Sequence, residues 1–324
     1  MTGVKCTDNP RARGLILCIV IAMLLTGCGA RSIAQSYKTT ELFNQNRMQI
    51  ADAFAASLCV ADGEVDLVEA QLTGNACAGL FDVKNAETLY ARGVYDRIEP
   101  ASLTKVMTAL VALKYGNLNQ VITATANVNV TESGAQLIGI RKGDRMTLSQ
   151  ALHLLLIYSA NDVALMIAEN IAGSVNEFVT MMNNEALLIG ATSSHFMNPH
   201  GLHADDHYTT VYDMYLIFNA ALQYQEFIDI INMPVYATSF TDENGNTKEV
   251  DVKSTNGFLR DASLLPDGVI MVGGKTGTTN AAGHCLIVQV RSAEGNPFIA
   301  VVMRAEDSDT LYAQMTLLMS KIRK

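Results

Sequence analysis

Ser102 and Lys105 stand three residues apart in the segment PASLTK, directly ahead of the apolar run VMTALVALKYG. Residues at i and i+3 share a helix face, so a helix here turns the serine hydroxyl and the lysine amine into one space. A hydroxyl is a weak nucleophile at neutral pH and needs a base to take its proton as it attacks a carbonyl. Lysine can be that base if burial and a nearby cation keep its amine neutral. The pair therefore points to acyl transfer through a serine ester, although a single S-x-x-K occurs by chance in a chain of 324 residues. Two further clusters remove the ambiguity. Ser159 and Asn161 lie in YSAND, at the end of an apolar helical segment, and Lys275, Thr276 and Gly277 lie in the strand-like GGKTGTT. In the order S-x-x-K, S-x-N, K-T-G the clusters form one catalytic set, and Lys275 is the cation that would hold the Lys105 amine neutral.

The elements that must carry these groups follow from periodicity. Apolar residues recur at helical spacing over Leu103–Tyr115, over Leu148–Ile171 and through VNEFVTMMNNEALLIG, where Gly190 is the expected terminator. The middle of the chain is therefore helical. Ahead of it, two short apolar runs around DVKNAE in Ala76–Arg92 form a hairpin signal. After Pro234 the texture turns to strand: VYATSFT and TKEVDVK flank a turn at Asn244 and Gly245. GVIMVGGKTGTT, HCLIVQVRS and PFIAVVMRA follow as adjacent antiparallel strands, and TLYAQMTLLMSKIRK closes the chain as an amphipathic helix whose basic end suits the dipole. Strands at both ends with helices between them predict an α+β fold, one sheet built from both termini with a helical lobe inserted.

The first 27 residues are of another kind. Lys5, Arg11 and Arg13 precede the apolar stretch Leu15–Leu25, which is shorter than the 20 or so residues that span a bilayer, so this is an export signal. It ends in LTGC, which resembles the lipobox of bacterial lipoproteins. That resemblance implies a diacylglyceryl thioether on Cys28 and a mature chain anchored to the extracytoplasmic face of the cytoplasmic membrane, because two acyl chains make a stable anchor. Residues 28–50 read as a tether, with an amphipathic helix in ELFNQNRMQIADAFAA, and residues 51–324 as the folded domain. A net charge of -9 without any run of Lys or Arg argues against nucleic acid as a partner. An oxidising exterior permits a Cys59–Cys77 disulfide closing a loop of about 18 residues, for about 3 kcal/mol in the chain-entropy treatment. Buried free thiols are the equal alternative.

From about Ala76 to Ala305 the chain resembles the low-molecular-mass penicillin-binding proteins that act as serine D-alanyl-D-alanine carboxypeptidases, peptidase family S11. The phrases that carry the likeness are PASLTKVMTAL, YSANDVALMIAENIAG, FVTMMNNEA, HFMNPHGL, HYTTVYDM and GGKTGTTNAAGHCLIV. The resemblance implies a five-stranded antiparallel sheet packed on a helical lobe of the β-lactamase type, with the site in the groove between. It implies Ser102 as nucleophile, Lys105 as base and Ser159 as the relay to the leaving nitrogen. Asn161, Lys275, Thr276, Gly277 and Thr278 would bind substrate, with the backbone amides of Ser102 and Thr278 as the oxyanion hole. Gly277 has a steric reading of its own: a strand edge that receives a peptide needs room for that peptide's backbone. The partners implied are peptidoglycan stem peptides, β-lactams as covalent inhibitors and the membrane; no cofactor or metal is implied.

The chain also departs from its relatives. HFMNPHGLHADDHYTT stands where class A β-lactamases carry a deacylating glutamate, so a penicilloyl ester on Ser102 should hydrolyse slowly. The histidines and aspartates of that loop, His195, His200, His203, Asp205, Asp206 and His207, lack the helical pair of a zinc peptidase. Family members often hold the substrate carboxylate with an arginine beyond the strand after K-T-G; EDSDTLY has none, and Arg304 alone lies near. No second β-rich domain is expected after the catalytic one. A muropeptide or β-lactam sensor and a class A-like β-lactamase are the alternative uses of the same motifs.

Overall fold

A computed structural model of the chain describes residues 57–65 and 72–322. The signal segment, Cys28, the tether and the ELFNQNRMQIADAFAA helix lie outside the described residues. The described residues form nine strands and eight α-helices, numbered in chain order. The strands are β1 (Cys77–Asp82), β2 (Glu87–Arg92), β3 (Val121–Thr123), β4 (Arg145–Thr147), β5 (Val235–Thr241), β6 (Thr247–Lys253), β7 (Val269–Thr279), β8 (Gly283–Ser292) and β9 (Pro297–Ala305). The helices are α1 (Thr104–Tyr115), α2 (Leu148–His153), α3 (Asn161–Ala172), α4 (Val175–Leu188), α5 (Val211–Ala221), α6 (Gln225–Ile231), α7 (Gly257–Arg260) and α8 (Ser308–Met319).

Five strands form one antiparallel sheet in the order β2-β1-β9-β8-β7, so segments distant in sequence pair through β1 and β9. The expected α+β architecture is present. The central strands read as unbroken apolar runs because both of their faces are covered. In β9, Ile299, Val301 and Met303 face the helical lobe, whereas Phe298, Ala300 and Val302 meet Leu311, Met315 and Leu318 of α8 on the other side. The lobe is built round α1, in which every residue from Thr104 to Ala112 is buried. A helix with one face in water would alternate; this one is packed by α3, α4 and α5.

Two expectations need correction. The 244–245 hairpin does not join the main sheet: β5 and β6 belong to a second, four-stranded sheet in the order β3-β4-β5-β6. Its other two strands have three residues each, too short to show a period of two in the sequence. The helix expected over Leu148–Ile171 is also broken. It starts at a capping box, in which Gln150 N–H donates to Thr147 Oγ1 and Thr147 N–H donates to Gln150 Oε1. It then widens into a single π-helical turn over Leu154–Tyr158 and stops at Ser159, whose φ of 71° is left-handed. Helix α3 restarts at Asn161. Cys59, Cys77 and Cys285 are buried free thiols, so the disulfide alternative is the wrong one. Cys59 Sγ instead meets the Asp82 carbonyl and Cys77 Sγ faces Asp96.

Candidate active site

Ser102 sits in a short 3-10 turn, Ala101–Leu103, that feeds α1. Ala101 holds a positive φ of 48°, a conformation that costs about 1–3 kcal/mol in a residue with a side chain and persists only where neighbours enforce it. Three of them do so. The Thr104 hydroxyl donates to the Ala101 carbonyl (2.8 Å), and His207 Nε2 sits 2.9 Å from that hydroxyl. His207 Nδ1 accepts from the Met197 N–H, which fixes the tautomer with its proton on Nε2. Gly201 backs the same carbonyl so closely that a Cβ there would stand 1.8 Å from Ala101 O.

Lys105 follows one turn on, with no exposed surface. Its Nζ lies 2.9 Å from Ser102 Oγ and 2.7 Å from Asn161 Oδ1, and it also reaches the His200 carbonyl. A neutral amine has two N–H donors and one lone pair. The amide and carbonyl oxygens can only accept, so they take the two donors, and the lone pair is left to the serine proton. Burial lowers the Lys105 pKa well below the usual lysine range, the charge of Lys275 lowers it further, and Asp162 opposes both. Lys275 is equally buried, and that burial brings it down to about 7. Its Nζ donates to Ser159 Oγ (3.0 Å) and to the Thr276 carbonyl (2.8 Å). The left-handed turn at Ser159 is what lets its hydroxyl leave the helix and meet Lys275.

The third wall is β7, the edge strand of the main sheet. A Cβ on Gly277 would lie 2.9 Å from Ser102 N and 3.1 Å from both Leu103 N and the Ala101 side chain. The absence of a side chain at Gly277 therefore makes room for the turn that carries Ser102. Thr276 Oγ1 is 2.6 Å from Thr255 Oγ1, and Thr278 is exposed to the cleft. Ser102, Ser159, Asn161, Thr276, Gly277 and Thr278 thus border one cleft of about 380 Å³, large enough for the end of a peptide, with Lys105 and Lys275 buried beneath it and bonded to Ser102 and Ser159.

Other contributors were invisible in the motifs. The loop after Phe196 is shaped by Asn198, whose Oδ1 accepts from Gly201 N and whose Nδ2 donates to Leu202 O, so that the His200 carbonyl turns to Lys105. The opposite rim carries Gln136, whose carbonyl accepts from Asn161 N. That rim is held by Asp162, whose carboxylate accepts from the amides of Ile138, Gly139 and Ile140. Arg304, the basic residue that precedes EDSDTLY in the sequence, is turned elsewhere. It donates to the Arg97 carbonyl and lines a separate cavity with Cys77, Arg92 and Asp96. The loop histidines are also apart from one another in role: His203 meets Glu99, His195 meets Asp206, and His207 meets Thr104.

Two of these histidines make the loop acid-sensitive. Burial, then the charge of Lys105, brings His200 down to about 3, and burial, then His195, brings His207 down to about 4, from the usual 6.5. Their neutral forms belong to the fold, so the stability they contribute is complete above pH 6.5 and is lost as pH falls toward 4 and 3. Each adds a slope of up to about 1.4 kcal/mol per pH unit in that window. Urea unfolding between pH 4.5 and 7 should show this slope, and a His200→Asn, His207→Asn double variant should flatten it.

Residues 69–307 match the D-alanyl-D-alanine carboxypeptidase family, peptidase family S11. Among curated proteins, the D-alanyl-D-alanine carboxypeptidase DacF of Bacillus subtilis is 31% identical over 74% of this chain and 59% of its own length. DacA of Escherichia coli, a carboxypeptidase by the same description, is 29% identical over 69% of this chain and 54% of its own. The chain thus spans little more than half the length of these relatives. Among solved structures, a variant of a Streptomyces DD-transpeptidase superposes with a TM-score of 0.70 at 25% identity, covering 77% of this chain and 98% of that one. A penicillin-binding protein homologue from Mycobacterium tuberculosis superposes with a TM-score of 0.65 at 27% identity, covering 82% and 93%. With the S-x-x-K, S-x-N and K-T-G residues gathered round one cleft on the same fold, the chain belongs to the S11 family of D-alanyl-D-alanine carboxypeptidases.

Proposed function

We propose that the protein is a serine carboxypeptidase that removes the terminal D-alanine from peptidoglycan pentapeptides, working at the outer face of the cytoplasmic membrane on a lipid attached to Cys28. The observation that carries the chemistry is the environment of Lys105: a buried amine whose two donors are taken by oxygens and whose lone pair faces Ser102 Oγ. As that oxygen attacks the penultimate D-alanine carbonyl, its proton passes to Lys105 Nζ. The carbonyl oxygen becomes an oxyanion beside the amides of Ser102 and Thr278, where one such donor is worth about 3 kcal/mol. When the C–N bond breaks, the leaving nitrogen takes a proton from Ser159, which Lys275 supports, and the proton held by Lys105 passes on to Ser159, so that the Lys105 amine is neutral again. Asn161 gives its Oδ1 to Lys105 and keeps Nδ2 for a carbonyl of the stem peptide. Water then attacks the ester, with Lys105 again as the base, and restores Ser102.

Penicillins would acylate the same hydroxyl and leave slowly, since 195–210 supplies no glutamate for a second water. Incubation of the protein with diacetyl-Lys-D-Ala-D-Ala should release free D-alanine. A stable penicilloyl adduct without any D-alanine would favour a sensor and overturn the carboxypeptidase reading. For the anchor, the LTGC segment is the support. Membrane-fractionated cells should retain the protein, and Cys28→Ala should release it; retention of that variant would refute the lipid.

A further inference from the structure

Past Gly277 the cleft wall consists of Thr278 on β7, His284 on β8 and Ser308 at the start of α8. Register sets His284 directly across from Thr278, and its Nδ1 lies 3.3 Å from the Thr278 hydroxyl. Its Nε2 has no hydrogen-bond partner among the described residues. His284 is also the single basic side chain among the described residues that line the cleft. The two lysines beneath the floor are already engaged, Lys105 with Ser102, Asn161 and His200, and Lys275 with Ser159 and the Thr276 carbonyl. The charged group facing the imidazole is Asp307, the N-cap of α8, whose carboxyl is lowered mainly by its bonds to Thr310 and in part by His284. Cys285, the next residue on the strand, is kept as a neutral thiol by burial.

A peptide cut at its last bond carries a free carboxylate on the leaving residue. With its scissile carbonyl at Ser102 and its nitrogen near Ser159 and Lys275, that carboxylate comes to rest against the outer part of β7. The wall there offers hydroxyls on Thr276 and Thr278 and one imidazole. We propose that His284 selects substrates ending in a free carboxylate: its Nε2–H donates to that group while Nδ1 holds the Thr278 hydroxyl in place. This assignment rests on the carboxypeptidase reading. It makes His284 a specificity-determining residue on the strand next to the K-T-G motif, outside the S-x-x-K, S-x-N and K-T-G residues themselves.

The test compares two substrates cut at the same bond, diacetyl-Lys-D-Ala-D-Ala and its C-terminal amide, on the wild-type full chain, His284→Leu and His284→Arg. For the acid, His284→Leu should raise KM roughly tenfold, the usual size of a lost hydrogen bond to a charge, while kcat stays within about twofold. For the amide, KM should not move. His284→Arg should restore the preference for the acid. Equal losses on acid and amide, or no loss on either, would overturn the assignment with the carboxypeptidase reading intact. Failure of the wild type to release D-alanine would instead remove the reading itself, and the assignment with it.

Discussion

Ser102→Ala should leave no covalent label after incubation with a fluorescent penicillin and should lower D-alanine release by at least about 10⁴-fold, the scale expected when a covalent nucleophile is removed. The effect is large because no neighbouring group at the cleft is placed to replace the oxygen. Ser159 Oγ is engaged by Lys275, Thr276 Oγ1 by Thr255, and the Lys105 amine is aimed at Ser102. Folding should change little. The Ser102 side chain bonds to Lys105, and a half-buried hydroxyl lost at a turn costs about 1 kcal/mol. Unlabelled protein with a near wild-type melting temperature is therefore the expected pair of results. A persisting adduct would place the nucleophile elsewhere and rule out acylation at Ser102.

Gly201→Ala should do damage of the other kind. The residue holds φ of 87°, and a methyl group there would stand 1.8 Å from Ala101 O and 2.5 Å from its carbon. Neither atom can swing away, because both belong to the strained backbone that carries Ser102. The loop or the nucleophile turn must shift. We expect a loss of about 3 kcal/mol, near 10 °C in melting temperature for a domain of this size. Penicillin acylation should fall further than stability alone explains, since the displaced carbonyl moves Ser102 away from Lys105. Thermal melts and acylation rates on the same preparation check both parts. A variant that melts normally and acylates at the wild-type rate would show that the Ala101 turn needs no backing.

The residues of the proposed reaction were legible because that chemistry restricts their type. A base three residues from the serine shares its helix face, and the lysine of the strand-like K-T-G segment reaches the same site. What the sequence hid was geometry supplied by the backbone. The acceptor for Lys105 is the carbonyl of His200, and any residue has a carbonyl, so its identity carried no message. The break at Ser159 lies inside an apolar run that keeps helical spacing through the π-helical turn, so the pattern continues where the helix does not. Strands β3 and β4 were too short to alternate. Asp162 carried no signal of its own beside Asn161, and it is a buried anchor for three amides of the rim. At Gly277 the sequence did not show the crowding by the Ala101–Leu103 turn.

The three thiols in the core have a practical use. Burial pushes Cys59 up to about 11 and Cys285 up to about 12, and raises Cys77 as well. Alkylating reagents attack the thiolate, so at neutral pH each of these sites is chemically silent while the chain is folded. Once the core opens, the same sites regain ordinary reactivity. Pulsed alkylation followed by peptide mapping would then read out, at Cys59, Cys77 and Cys285 separately, how often each part of the molecule comes apart, a built-in clock that needs no engineered label.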